Sequence, residues 1–156
     1  MRNLPYQEGD WFAVPLADGG FGIGLAARMS GDGVVLGYFF GPRRSVLPEL
    51  PELSKLGPED AIMVLNFGDL GFLRKEWPIL GRLENWDRRA WPMPVFGRFE
   101  ELSGRAWKVE YADDNPNSRP RESKISLAEL KLLPGDGLYG WKAVEKVLTG
   151  RLRPGK

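Results

Sequence analysis

Residues 86–91 hold the densest group of side chains that could do chemistry, with Trp86 and Trp91 enclosing Asp87, Arg88 and Arg89. Aromatic rings interleaved with basic side chains are typical of proteins that bind single-stranded nucleic acid. Such proteins usually carry a basic stripe as well, whereas this chain has 22 basic and 21 acidic residues. We therefore expect nucleic acid to be an unlikely partner and interpret the segment as an exposed connection.

Six tryptophans are more than a small core requires. Tryptophan, tyrosine and arginine are enriched at the centres of protein interfaces. We therefore predict that Trp86 and Trp91 are exposed and available to a protein partner. The other four are assigned to the core: Trp11, Trp77, Trp107 and Trp141.

Acidic residues form the second candidate group. The pairs at 100–101 and 113–114 could bind a hard cation, but such a site needs several converging oxygens, and neighbours on a strand face opposite sides. A solvated surface is the better interpretation. Together with Glu84 and Asp87, these groups could instead meet a basic partner, because charge complementarity steers association. The predicted partner-binding residues are Glu84, Trp86, Asp87, Arg88, Trp91, Glu100, Glu101, Asp113 and Asp114.

The chain has no histidine and no cysteine. It therefore cannot form a Ser-His-Asp triad, a Cys-His nucleophile or a usual zinc site. The glycines at 20, 22 and 24 alternate inside a strand pattern, whereas a dinucleotide-binding fingerprint needs a strand before it and a helix after it. Asp69, between two glycines, is interpreted as a turn residue. We predict no enzyme activity, no cofactor, and no catalytic or metal-binding residue.

Most of the elements that must position these residues are predicted to be strands. Apolar residues either alternate or form a continuous run in three segments: 11–16, 21–29 and 34–40. The glycine turns at 18–20 and 31–33 join these segments into a meander. Glycines on one face of the second strand leave room for a backbone or an aromatic ring. Further strands are predicted at residues 61–67, 77–83, 95–99, 107–111 and 125–127.

Loops and one helix complete the predicted organisation. The exposed loops are residues 43–60, which include a short helix near 52–56, together with 84–91 and 113–123. Apolar residues recur at helical spacing from Leu138 to Leu148, with Trp141 facing the sheet and Gly150 suited to the C-cap.

The fold class is therefore predicted to be β-rich (α+β), with about six or seven strands by the spacing of turn signals. We expect a strongly bent antiparallel sheet or partly closed barrel with a C-terminal helix. Residues 1–150 form a single domain in this prediction, and residues 151–156 a basic tail. The 156-residue chain shows no signal-like start and no apolar run long enough to span a bilayer. We expect a cytoplasmic protein with no membrane partner.

Five segments follow one another over about the first hundred residues: 8–10 with 12–16, 20–24, 38–41, 67–71 and 77–81. Together, and in this order, they resemble the immunity protein 26 family of bacterial polymorphic-toxin systems. The resemblance implies a small β-rich antitoxin, made beside a secreted or contact-delivered toxin, that protects the cell by binding this cognate protein. The family defines no catalytic residues.

Two other functions remain open. The opening Gly-Asp and the tightly turned strands also resemble small SH3-like barrels, which bind nucleic acid or other proteins. Some relatives carry a phosphotriesterase label, but without histidine this chain lacks the ligands that such metal hydrolases normally use.

Overall fold

A six-stranded sheet forms the centre of the structure, a computed structural model that describes residues 3–153. β1 to β4 pair antiparallel in chain order, which confirms the predicted meander. β5 pairs with the free side of β1, and the two-residue β9 pairs in parallel with β4, giving the order β5-β1-β2-β3-β4-β9. The strands are β1 Asp10–Pro15, β2 Phe21–Met29, β3 Val34–Arg44, β4 Met63–Gly68, β5 Ile79–Arg82 and β9 Leu138–Tyr139.

A second, three-stranded sheet has the order β6-β7-β8. A bridge between Gly97 and Gly135 joins β6 to the segment that precedes β9. The structure confirms the β-rich class, but the described strands do not close into a barrel. They number nine rather than six or seven. The additional strands are β6 Phe96–Glu100, β7 Arg105–Glu110 and β8 Arg121–Ile125.

The helices are short except at the C-terminus. α1 spans Leu70–Leu73, and α2 spans Leu127–Leu130 behind a capping box formed by Ser126 and Glu129. α3 spans Trp141–Arg151. Short 3-10 turns lie at Leu50–Lys55, Pro58–Asp60 and Arg88–Ala90.

α3 differs at both ends from the predicted helix. Leu138 lies in β9, so the helix begins three residues later than its apolar spacing suggested. At the other end it continues past Gly150, and Leu152 is buried. The predicted tail therefore begins with residues that belong to this helix and its packing. Residues 154–156 lie outside the described part of the chain.

The large sheet carries a core on each face. One face packs against α1 and α3 through rings such as Phe12, Phe72 and Trp77. The other face packs against the three-stranded sheet through Trp11, Phe96 and their neighbours. Each fully buried apolar side chain contributes about 1.5–3 kcal/mol, so the three-stranded sheet is held mainly by this second core.

The structure confirms that an aromatic ring lies close against the glycine face of β2. A Cβ at Gly24 would lie 2.4 Å from the ring of Phe12. The register then shifts between Ala26 and Arg28, where β2 carries a bulge. Arg28 consequently pairs with Leu36 and shares the face that meets the three-stranded sheet. Bulges commonly re-aim a side chain in this way.

The prediction that Trp91 is exposed was wrong. Its side chain is 8% exposed and makes edge-to-face contacts with Trp11, Tyr38 and Phe40. A 3-10 turn just before it directs the ring inward. Among the tryptophans assigned to the core, Trp11 and Trp77 are buried, whereas Trp107 and Trp141 are only partly buried.

Candidate partner-binding surface

Arg28 brings two of the predicted segments together. It is 1% exposed. Its Nε donates to the carbonyl of Asp113 (2.6 Å), and Nη2 donates to the carbonyl of Arg88 (3.2 Å). A third bond joins Nη1 to the carbonyl of Ala27, and Nη2 also lies 3.3 Å from the Asp113 carboxylate. One guanidinium therefore fixes residues 84–91 and 113–118 beside each other, and we call these two segments the corner surface.

Glu8, two residues before β1, anchors the first of these segments. Its carboxylate accepts from the Arg88 guanidinium, including Nε at 3.0 Å, and from the Trp86 indole N–H at 3.2 Å. Burial alone would raise the pKa of Glu8, but the hydrogen bonds from Arg88 and Trp86 lower it. Gly9 lies directly under the Trp86 ring, where a Cβ would approach within 2.8 Å. Trp86 is therefore partly buried and held in one orientation.

A cavity of about 130 Å³ opens beside Trp86. An apolar cavity of about 150 Å³ can hold a molecule the size of benzene, so this one has room for one apolar side chain of a partner. Its lining is mostly apolar and includes residues of the core and of the first corner segment: Gly9, Trp11, Ser54, Leu56, Leu83, Asn85, Trp86, Asp87, Ala90 and Trp91.

The Immunity protein 26 family model matches residues 7–108, about two thirds of the chain. The chain belongs to the immunity protein 26 family. No curated protein and no solved structure matches it. The matched stretch runs from β1 into β7 and contains residues 84–91, but not residues 113–118. Membership of the immunity protein 26 family supports an immunity function in general.

Most charges at the corner of this immunity protein are already paired with one another. Asp113 pairs with Arg28, Glu8 with Arg88, and Asp87 with Arg89. The bond from Arg89 lowers the pKa of the Asp87 carboxyl. Glu84 and Asp114 are exposed and make no ion pair within residues 3–153. These two carboxylates are therefore the negative charges that the corner surface can offer to a partner.

Glu100 and Glu101 do not belong to the corner surface. They lie at the β6–β7 turn, where Glu100 accepts from Ser103 and lies 3.9 Å from Arg98. Trp91 of the first corner segment shares a core with Phe96, at the other end of β6, and the strand rise places Phe96 roughly 14 Å from Glu100. Of the nine predicted site residues, seven therefore lie in the two segments of the corner surface, among them the buried Trp91, and these two do not.

Sequence reasoning missed Arg28 and Glu8. A detectable signal existed for Arg28, because it is the only charged residue within the otherwise apolar β2. Glu8 gave no comparable signal. Within residues 3–153, Asp and Glu side chains form no group of three or more that could hold a metal ion. No described helix is both long and apolar enough to cross a membrane.

Proposed function

We propose that this immunity protein neutralises a cognate toxin by stoichiometric binding through the corner surface, without catalysis. The family match supports the immunity role. The observation that supports this particular surface is the Arg28 network, which holds two chain segments in place before any partner arrives. A surface that is ordered in advance loses less conformational entropy on binding.

The chemistry of the corner surface suits a partner with an apolar anchor and nearby basic groups. One apolar side chain would enter the cavity beside Trp86. Glu84 and Asp114 would attract basic residues at the rim, where charges mainly accelerate association. Central apolar anchors usually supply most of the binding energy, and the surrounding contacts exclude water.

Co-expression with the toxin encoded beside this gene tests the proposal in cells. We expect the protein to restore growth and to form a one-to-one complex with the purified toxin. The binding surface is tested by the double variant Glu84→Lys with Asp114→Lys, and the matched control is Glu101→Lys on the distant turn. We expect the double variant to slow association and the control to bind as the wild type does. Equal association rates for all three proteins would exclude the corner surface.

A further inference from the structure

β4 has an open edge over half of its length. β3 pairs with it throughout, from Phe39 opposite Met63 to Val34 opposite Gly68. On the other side, β9 pairs only with Asn66 and Phe67. No other described strand covers residues 63–65 on that side. These residues therefore present a strand edge that is not used within the chain.

The backbone of Val64 points out of this edge. In an antiparallel pair, successive residues turn their N–H and C=O groups alternately toward and away from the partner. Asp69 donates its N–H to Gly33 at 3.0 Å, on the β3 side, and the register shows no shift from there to Met63. Val64 therefore faces the other way, like Asn66, which meets β9. Its N–H and C=O can form strand hydrogen bonds with another chain.

The open edge forms one wall of a groove of about 450 Å³. Leu132 (84% exposed) and Val147 of α3 (37% exposed) lie on its other walls. The single charged residue of the lining is Arg151, which donates one N–H to the Ile62 carbonyl at 2.8 Å. A guanidinium has five donors, so Arg151 keeps several for a carboxylate. The full lining is Ala61, Ile62, Met63, Val64, Leu65, Leu132, Pro134, Gly135, Tyr139, Val147 and Arg151.

The open edge of β8 has a different character. β8 is the outer strand of the small sheet, and its exposed residues include Arg121, Glu122 and Lys124. Charged side chains on an edge strand discourage pairing with other chains. The groove at β4 lacks this protection, because Arg151 is the single charged residue of its lining.

A second copy of the chain fits this edge poorly. If two β4 strands paired antiparallel about Val64, the residues just before β4 in one copy would run along the other β4 toward its Asn66. β9 already occupies that position. Ile62 and Ala61 of one copy would therefore collide with β9 of the other. The edge instead suits a short segment that ends or turns away before β9.

We propose that the toxin places a short extended segment in this groove and adds it as a strand to the open edge of β4. This inference rests on the proposed function. The segment pairs with the backbone of Val64, buries an apolar side chain against Leu132 and Val147, and directs a carboxylate to Arg151. Strand addition of this kind obtains affinity from main-chain hydrogen bonds and specificity from neighbouring side-chain pockets.

Two variants of the full-length protein test the open edge against the purified toxin. Val64→Pro removes the outward N–H and leaves the β3 side intact, since proline is tolerated where the N–H does not serve the ladder. Val64→Ala is its control, because it shortens the side chain and keeps the N–H. Leu132→Asn makes the groove wall polar. Its matched control is Leu102→Asn, since Leu102 is fully exposed on the distant β6–β7 turn.

We expect Val64→Pro and Leu132→Asn each to weaken toxin binding by about tenfold or more, which corresponds to the loss of one hydrogen bond or anchor contact. The two controls should stay within about twofold of the wild type. Amide exchange at Val64 should slow when the toxin binds. If Val64→Pro does not fold, Leu132→Asn with its control decides the question.

Three results would overturn the inference. If the toxin binds the wild type and both groove variants equally, strand addition is wrong while the proposed function stands. If the purified protein dimerises and Leu132→Asn abolishes the dimer, the occupant is a second copy. If the toxin does not bind the wild type at all, the proposed function fails, and this inference fails with it.

Discussion

The corner surface and the β4 groove differ in what they have left to offer a partner. At the corner, a buried arginine and a glutamate already satisfy most of the polar groups within the chain. At the groove, a strand edge has no partner among the described strands, and Leu132 and Val147 are exposed. A polar group that is already hydrogen-bonded gains little from a new contact, whereas an unused backbone donor beside apolar surface can form a new hydrogen bond. We infer that the rim charges of the corner attract the toxin, and that apolar contacts in the cavity beside Trp86 and in the groove hold it.

Removing the buried ring beneath the corner should have the largest effect on the free energy of unfolding. Trp91→Ala deletes a buried ring that packs against Trp11, Tyr38 and Phe40. We expect it to lower the free energy of unfolding by about 3–5 kcal/mol. Val147→Ala on the groove wall should cost much less, because Val147 is partly exposed. Urea denaturation of both variants measures these losses of unfolding free energy. Similar losses would show that the corner does not depend on its core more than the groove wall does.

Arg28→Met should have the next largest effect. The substitution keeps an apolar stem but leaves the carbonyls of Ala27, Arg88 and Asp113 without their donor. We expect a loss of about 3 kcal/mol in the free energy of unfolding and faster amide exchange in residues 113–118. Arg119→Met, at an exposed arginine of the same loop, is the matched control. A loss below about 1 kcal/mol would show that Arg28 does not hold the corner.

The kinetics of toxin binding should separate the two regions. Rim charges mainly change association rates, and well-packed contacts mainly change dissociation rates. We expect Glu84→Lys with Asp114→Lys to slow association by about tenfold at low salt, and less as salt rises. Leu132→Asn should instead speed dissociation. Surface plasmon resonance at two salt concentrations distinguishes these outcomes. Faster dissociation of the charge variant together with slower association of Leu132→Asn would refute these roles.

The smallest effect should come from Glu8→Gln at the edge of the corner. Hydrogen bonds from Arg88 and Trp86 hold the pKa of Glu8 below its ordinary value of 4.5. A carboxylate with a lowered folded-state pKa stabilises the fold above its unfolded-state pKa, and this contribution is lost as pH falls through the folded-state pKa. We expect the variant to lose about 0.5–1 kcal/mol near neutral pH. The difference in Tm from the wild type should shrink below pH 4.5, and a difference that grows there would contradict the assignment.

Local patterns in the sequence were sufficient to predict the meander. In strands β1 to β3, apolar residues alternate or form continuous runs between glycine turns. The apolar pattern and the turns both depend on residues close in the chain. The period-two pattern fails after Ala26, because the bulge there reverses which face of the large sheet the following side chains occupy. The alternation of residues 21–29 alone would place Met29 on the face of Ile23, but Met29 packs with the opposite core. A bulge of this kind depends on the partner strand, which the local pattern does not contain.

The candidate site was only partly predictable for the same reason. Residues 84–91 were identified from their composition, but their contacts with Arg28 and Glu8 span 60 and 80 positions of the chain. Trp91 was misplaced because composition alone cannot distinguish an interface tryptophan from a core tryptophan. The groove could not be predicted, because β9 is a two-residue strand whose parallel pairing is set by tertiary contacts.

Titration of toxin activity against increasing amounts of this protein tests most directly whether it acts by holding its target. The account predicts that residual activity falls in a straight line and reaches zero at one equivalent. Loss of activity far below one equivalent would reveal turnover, and undiminished activity at several equivalents would show that the toxin is not its target.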